Sequence, residues 1–328
     1  MIGNGFGVDL GADTVKIYTE RLDRITEQKS MIAVRPSTGR VLAAGDAAYE
    51  MYAKTPPDID VRTPSDKGTI ADVDRAGFLL KKLLAAADER PAGKRVLYAA
   101  APIDLSRIQK RAFSDMGELC GAQGGVILVD QPVCDARGCG IDTDATRGTI
   151  LLNIGASCSI LSVIVQGQTV ISEMLEEGGR HMDEAIADSV RRHTNCLIGP
   201  RTAHRLKHAL ANTGTVRDAR KTFGMDAITG TPREVIVSAE IVHEAVMPHL
   251  SHLAEAVSEL WERMPPQIAE NMEKQGLILS GGGARIPNTA EWFAEKTGHG
   301  AITARDYEMT TILGLREYMR AQETGAPK

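Results

Sequence analysis

Three glycine-bearing turns each follow a run of β-prone residues. Gly11 comes after Gly7-Val-Asp-Leu10, Gly155 after Ile150-Leu-Leu-Asn-Ile154, and Gly281-Gly282-Gly283 after Leu277 to Ser280. Glycine at such places lets backbone N–H groups approach an anion closely, which is the chemistry of a phosphate loop. One such turn is ordinary, but two of these are copies: Asp9-Leu-Gly-Ala and Asn153-Ile-Gly-Ala lie 144 residues apart. Each opens a strand, turn, strand unit, so the chain reads as an internal duplication. Two facing turns could hold a polyphosphate, while the triple glycine lets a flat base lie against backbone.

The intervening pattern supplies the frame for these turns. Apolar spacing (Val73, Gly77, Leu80, Leu84) predicts a helix over 71–88, followed by a buried strand over 95–101 that Pro102 ends and a helix over 105–120. A short strand over 126–129 delivers Asp130, Gln131 and Pro132 at its carboxyl end. Beyond the second turn come Gly178-Gly179, a helix over 182–193 with Ile186 and Val190 on one face, and a basic helical stretch over 202–211. Residues 217–233 are polar and glycine-dotted, which suggests a small appended subdomain. The longest helix spans 238–262, bent near Pro248; a strand over 277–280 enters the triple glycine, and a helix over 312–322 closes the chain. Strands alternating with helices imply sheets with parallel members, whose ligands bind beyond the strand ends.

Composition narrows the function. The 328 residues suit two domains, and 38 basic against 43 acidic residues give a net charge of -5, which argues against a nucleic-acid partner. No apolar run reaches the roughly 18 residues of a membrane span, and the first ten residues lack a secretory pattern. A cytoplasmic protein is expected. Cys120, Cys134, Cys139, Cys158 and Cys196 form no CxxC pair and are read as reduced, mostly buried thiols. His243, His249 and His252 are read as a packed or solvated helix face and not as a metal site.

With these features in place, the chain resembles the actin superfamily and, within it, the bacterial MreB family of cell-shape proteins. The resemblance covers nearly the whole chain. It rests on both hairpins, on Thr63-Pro-Ser-Asp-Lys-Gly-Thr-Ile-Ala-Asp72, Asp130-Gln-Pro132, residues 178–192, Leu197-Ile-Gly-Pro-Arg-Thr-Ala-His-Arg-Leu-Lys-His208, and Gly276-Leu-Ile-Leu-Ser-Gly-Gly-Gly-Ala284. It implies an α/β, actin-like (ribonuclease H-like) duplicated fold of two lobes around a nucleotide cleft. The first lobe would span 1–140, with a small subdomain around 31–70 and the 312–322 helix packed back on it. The second would span 141–328, with a small subdomain around 182–240. ATP with Mg²⁺ would be the ligand, and head-to-tail filaments the assembly.

Residue by residue, the resemblance makes Asp9 the carboxylate facing the metal's water shell and Gln131 the group that places the attacking water. Nucleotide contacts would come from Gly11, Ala12, Asp13, Thr14 and Lys16, from Gly155, Ala156, Ser157 and Gly179, from His204 and Lys207, and from Gly281, Gly282, Gly283 and Ala284. Four departures fall at the ligand. Asn153 replaces a carboxylate that would help hold Mg²⁺; Ala156 and Ser157 replace glycines; Asp13 brings a negative charge near the phosphates; His204 and Ala209 replace glutamates of a nucleotide-contacting helix. A neutral amide at Gln131 orients water but cannot accept its proton, so hydrolysis should be slow or impaired.

The expected activity is therefore a slow ATPase coupled to polymerisation. The alternative is a pseudo-ATPase scaffold of the same fold; a small-metabolite kinase is disfavoured for want of a base, and a heat-shock chaperone because no peptide-binding module follows Lys328. Expected partners are further copies of the chain and cell-envelope or wall-synthesis proteins. Direct membrane insertion is not expected, since neither the leading ten residues nor the loop at 89–94 carries a large apolar wedge, so membrane association would run through partners.

Overall fold

The computed structural model describes residues 5–88, 94–215 and 217–324, and contacts divide the chain into two units. Met1–Thr146, Ile164–Ser172 and Met309–Lys328 form the first; Arg147–Val163 and Glu173–Glu308 form the second. The sheets of the two halves share one topology. In the first, Gly5–Leu10 pairs antiparallel with Thr14–Thr19, which pairs antiparallel with Arg24–Lys29. On the other side of Gly5–Leu10, Val96–Ala101 and then Val126–Asp130 add in parallel. In the second, Thr149–Ile154, Ser159–Val165 and Gln168–Leu175 succeed one another across the sheet, and Leu277–Ser280 and Ala301–Thr303 add in parallel to the first of them. Each sheet is a three-stranded meander extended by two parallel strands that need crossover connections. The duplication legible in two short motifs therefore extends to whole sheets.

The central strands are matched residue for residue. Gly5–Leu10 and Thr149–Ile154 are buried along their length except at the fifth position, which is half-exposed. Those positions are Asp9 and Asn153. A strand buried on both faces must be apolar, so the polar residue sits near the strand's carboxyl end, where the chain turns at a glycine two residues on.

In the first unit, one face of the sheet (Phe6, Val8, Val15, Ile17) packs on Leu79, Leu80, Leu84, Phe113 and Met116. These come from helices Val73–Ala87 and Arg107–Cys120, and each such side chain contributes roughly 1.5–3 kcal/mol on burial. Asp72 caps the first of these helices and Ser106, in a capping box with Gln109, the second. Another cluster gathers Tyr18, Cys134, Ile312, Leu315 and Met319, joining helices Gln131–Gly138 and Thr310–Thr324 to the sheet. A small three-stranded sheet, with Ile32–Arg35 between Arg40–Ala44 and Asp60–Arg62, carries its own minor core of Met31, Ala33 and Ala48.

In the second unit, helix Gly179–Thr194 begins three residues before its first apolar position, and Ala239–Glu262 runs on through Pro248. Helix Pro200–Leu210 lies between them in sequence. The polar, glycine-dotted segment folds as an antiparallel pair, Ala219–Asp226 with Pro232–Ser238, edged by Cys196–Leu197. Two helices, Pro266–Gln275 and Thr289–Thr297, give no clear sequence signal. Both are short, with one to three buried residues each, too few for a periodic stripe.

Among the described residues no helix is long and apolar enough to cross a membrane. All five cysteines are free thiols. Of the segments in the membrane argument, residues 1–10 and 89–94, residues 1–4 and 89–93 lie outside the described residues, and Gly5–Leu10 is a strand.

Candidate functional site

The first turn is shaped by one close approach. A Cβ at Gly11 would stand 2.7 Å from the Thr14 carbonyl oxygen, tighter than any side chain tolerates. The Gly11 carbonyl is itself held by the buried Ser65 Oγ, which donates at 2.9 Å, and Ser65 touches Ser30 at 3.3 Å. Thr63 lies 3.3 Å from the same Ser30 hydroxyl, so three hydroxyls brace the turn from behind. Asp9 lies opposite Lys16 in the ladder, with Lys16 Nζ 3.7 Å from Asp9 Oδ2 and donating to Thr14 Oγ1 at 3.0 Å. Burial raises the Asp9 carboxyl above its ordinary value, and the Lys16 ammonium opposes that rise. Asp13 is not the uncompensated charge expected: Lys29 Nζ reaches its Oδ2 at 2.8 Å. Lys29 comes from the third strand of the meander, where it pairs with Thr14.

Gln131 begins helix Gln131–Gly138 directly after strand Val126–Asp130, two strands across from Asp9, or roughly 10 Å at sheet spacing. A Cβ at Gly68, on the hairpin that carries Ser65, would lie 3.8 Å from Gln131 Oε1. The amide therefore shares a neighbourhood with the first turn. Asp130 is engaged elsewhere, accepting from Thr169 Oγ1 at 2.8 Å, and burial lifts its pKa.

The second turn repeats the first. A Cβ at Gly155 would meet the Cys158 carbonyl oxygen at 2.7 Å, the same distance to the same relative position. Helix Gly179–Thr194 closes on it: Gly179 N–H donates to Gly155 O at 2.9 Å and Arg180 N–H to Ala156 O at 2.8 Å. The positive end of that helix thus sits against the turn, which favours a nearby anion. Cβ atoms at Gly281 and Gly283 would overlap Asn153 and Ile154, so the triple glycine lies directly on the end of the strand that leads into the turn. Gly281 adopts φ +79° and donates to Tyr307 O at 2.7 Å, while a Cβ at Gly282 would meet open space.

Within this unit the structure brings together Gly155, Ala156, Ser157, Gly179, Lys207 and the glycine triplet. Some expected ligands have other work. Ala284 is buried and its N–H donates to Gly281 O, so it secures the loop. Lys207 donates to Gly179 O at 2.5 Å and pairs with Asp183 at 2.9 Å, stitching helix Pro200–Leu210 to the start of Gly179–Thr194. His204 Nδ1 lies 3.1 Å from the other oxygen of Asp183. Burial and the neighbouring His204 ring push His208 down to about 4, so it is neutral at physiological pH.

Sequence reading missed Lys29, Ser65 and Asp183, each of which holds an expected ligand residue. Asp183 had a signal, lying one helical turn after Gly179, and Ser65 lay in the family-like segment 63–72; Lys29 had none short of knowing the strand register.

Each glycine turn fits an anionic ligand. In the first, Lys16 lies between Asp9 and Glu27 in the strand ladder and Asp13 is tied to Lys29; in the second, position 153 carries an amide. Among the described residues no group of three or more His, Cys, Asp or Glu is placed to hold a metal. The histidines at 249 and 252 both bond Glu177, His252 from an exposed position, and His243 bonds the Asn212 carbonyl.

The family model described as MreB/Mbl protein matches residues 3–326. The cell shape-determining protein MreB of Escherichia coli (strain K12) is 29% identical over 316 residues, covering 93% of this chain and 90% of that protein. The cell shape-determining protein Mbl of Bacillus subtilis (strain 168) is 27% identical over 301 residues, 90% of each. The crystal structure of MreB5 of Spiroplasma citri bound to ADP superposes with a TM-score of 0.92 at 26% identity, covering 98% of this chain and 97% of that one. The MamK double helical filament, at 22% identity and a TM-score of 0.79 over 97% and 98% of the two chains, shares the fold. That fold is actin-like.

Proposed function

The chain belongs to the MreB/Mbl family, and on that premise we propose that it is a nucleotide-binding actin homologue that assembles head to tail into filaments serving cell shape or cell-wall synthesis. One observation carries the nucleotide reading: the same glycine turn, in which a Cβ would stand 2.7 Å from the carbonyl oxygen three residues on, recurs at Gly11 and Gly155 on matched strands. A device kept twice at the same sheet position, beside the residues at 281–283 and the start of helix Gly179–Thr194, suits a phosphorylated ligand. The relative MreB5 was solved with ADP and with AMPPNP, in keeping with this reading.

Gly11, Ala12, Asp13, Thr14 and Lys16 in the first unit, and Gly155, Ala156, Ser157, Gly179 and the glycine triplet in the second, are the proposed contacts. Lys207, which bonds Gly179 O, and His204, both engaged with Asp183, complete the proposed nucleotide contacts. Gln131 orients the attacking water. An amide takes no proton from it, so turnover is slow. Head-to-tail contacts are heterologous and do not close, which yields filaments. Attachment to the envelope runs through partner proteins.

Sedimentation and phosphate release from purified protein with and without ATP test the proposal. Pelleting that requires ATP, with phosphate released more slowly than filaments form, is the expected result. Pelleting indifferent to nucleotide would overturn it in favour of a scaffold, and rapid phosphorylation of a small metabolite would move the protein to the kinases of the superfamily.

A further inference from the structure

Glu177 is the last residue with a side chain before Gly178 and Gly179, and those two glycines run against the second turn. A Cβ at Gly178 would stand 2.8 Å from both Ala156 O and Cys158 N, so the backbone there lies directly on the turn. Gly179 and Arg180 donate to Gly155 O and Ala156 O, which makes residues 178–180 one wall of it. Glycine loses more conformational freedom on being fixed than any other residue, so a wall that contains two of them needs an anchor beside it.

Glu177 is that anchor. Its carbonyl oxygen accepts from the buried Ser159 Oγ at 2.7 Å. Each of its carboxylate oxygens meets one histidine: Oε2 lies 2.5 Å from His249 Nδ1, and Oε1 lies 2.9 Å from His252 Nδ1. The two rings are three residues apart and share a face of helix Ala239–Glu262, which Leu250 and Leu253, both fully buried, seat in the core. The second turn is thus tied, within its own unit, to a rigid helix. Other charges stand near the clamp. Glu255 of the same helix adds to the pull on His252, Glu173 is answered by Arg263 at 2.6 Å, and Glu176, Arg180 and His181 flank the clamp in sequence.

We propose, resting on the nucleotide-binding reading above, that Glu177 is a positioning residue for the nucleotide and that protonation of the histidines gripping it tightens the site. Charge-assisted hydrogen bonds are stronger than neutral ones, so charging the rings holds residues 178–180 more firmly where the phosphates would meet them. Burial raises the Glu177 carboxyl, but the two histidines outweigh it and hold the group below 4.5, while the bond to Glu177 lifts His252 above 6.5. The Glu177–His252 pair is charged between those limits. It loses that charge as pH rises through the raised histidine value, or falls through the lowered carboxyl value.

The test measures the dissociation constant of a labelled ADP analogue for wild type and Glu177→Gln, at about pH 6 and at about pH 8.5. A terminal phosphate itself titrates at about 6, so the quantity read at each pH is the ratio of the variant's constant to that of wild type, in which the ligand's own titration cancels. The ratio should be about threefold or more at the lower pH, the difference between a charged and a neutral hydrogen bond, and should fall toward one at the higher. A ratio equal at the two pH values would overturn the inference and leave the nucleotide reading standing, because a merely structural role has no pH profile. No binding by wild type at either pH would overturn both. His252→Gln changes a side chain 61% exposed, keeps a donor toward Glu177 and removes the charge. It should weaken binding by about twofold or more at the lower pH only. Wild-type affinity of this second variant at the lower pH would also overturn the inference.

Discussion

Gln131 differs from a carboxylate by one group of similar size, and that difference separates water orientation from proton acceptance. Gln131→Glu should therefore raise the rate of phosphate release by about tenfold or more, the scale of general-base assistance, while leaving affinity for the ADP analogue unchanged. Gln131→Ala should abolish release. Measured single-turnover rates that are equal for the glutamine and glutamate forms would remove residue 131 from the reaction. Asp130, its neighbour in sequence, accepts a hydrogen bond from Thr169 at 2.8 Å.

At the scale of elements, helix Gln131–Gly138 owes its position to an unusually close crossing with Thr310–Thr324. Cβ atoms placed on Gly138 and on Gly314 would overlap the Thr310 and Cys134 backbone respectively, so each glycine admits the other helix. Thr311 Oγ1 also donates to the buried Asp135 Oδ1 at 2.6 Å. Gly314→Ala should force the helices apart and destabilise the fold by about 1–3 kcal/mol or more, read as a lower urea midpoint, and slow phosphate release by displacing Gln131. A variant with unchanged midpoint would show that the crossing is loose.

A second element-scale contact responds to pH. Burial alone would raise Glu177, but His252 and His249 hold its carboxyl below the ordinary value of 4.5. Glu177 in turn lifts His252 above 6.5. The glutamate's contribution is complete above about 4.5 and is lost as pH falls through the lowered value; the histidine's is complete below 6.5 and fades as pH rises through the raised one. Stabilisation by this contact between the end of the meander and helix Ala239–Glu262 is thus greatest between those limits, and modest because His252 is largely exposed. The difference in melting temperature between wild type and Glu177→Gln should be widest there and narrow toward neutral and alkaline pH. A gap that is constant with pH would mean the glutamate contributes packing and no charge.

For the whole molecule, a ligand that binds only the folded chain raises stability by about 2.7 kcal/mol at a concentration of 100 Kd. Gly11→Ala in the first unit and Gly155→Ala in the second should each remove most of that increment, measured as the shift in urea midpoint on adding ADP. If only one of them does so, the nucleotide is held by that unit alone.

The sequence by itself determined the duplication, the glycine turns and the actin-like class. These depend on contacts between residues three or four apart, such as Gly11 with Thr14 and Gly155 with Cys158, and such contacts follow from local backbone geometry. Only the tertiary structure decided which charges are neutralised. Lys29 reaches Asp13 through the register of a third strand, and Lys207 reaches Asp183 from a separate helix. Ion pairs of this kind are set by where the backbone places two charges in space, and strand register or helix crossing fixes that placement without leaving a pattern along the chain. The same limit hid the surroundings of Asp9: strand register sets Lys16 opposite it and Glu27 opposite Lys16.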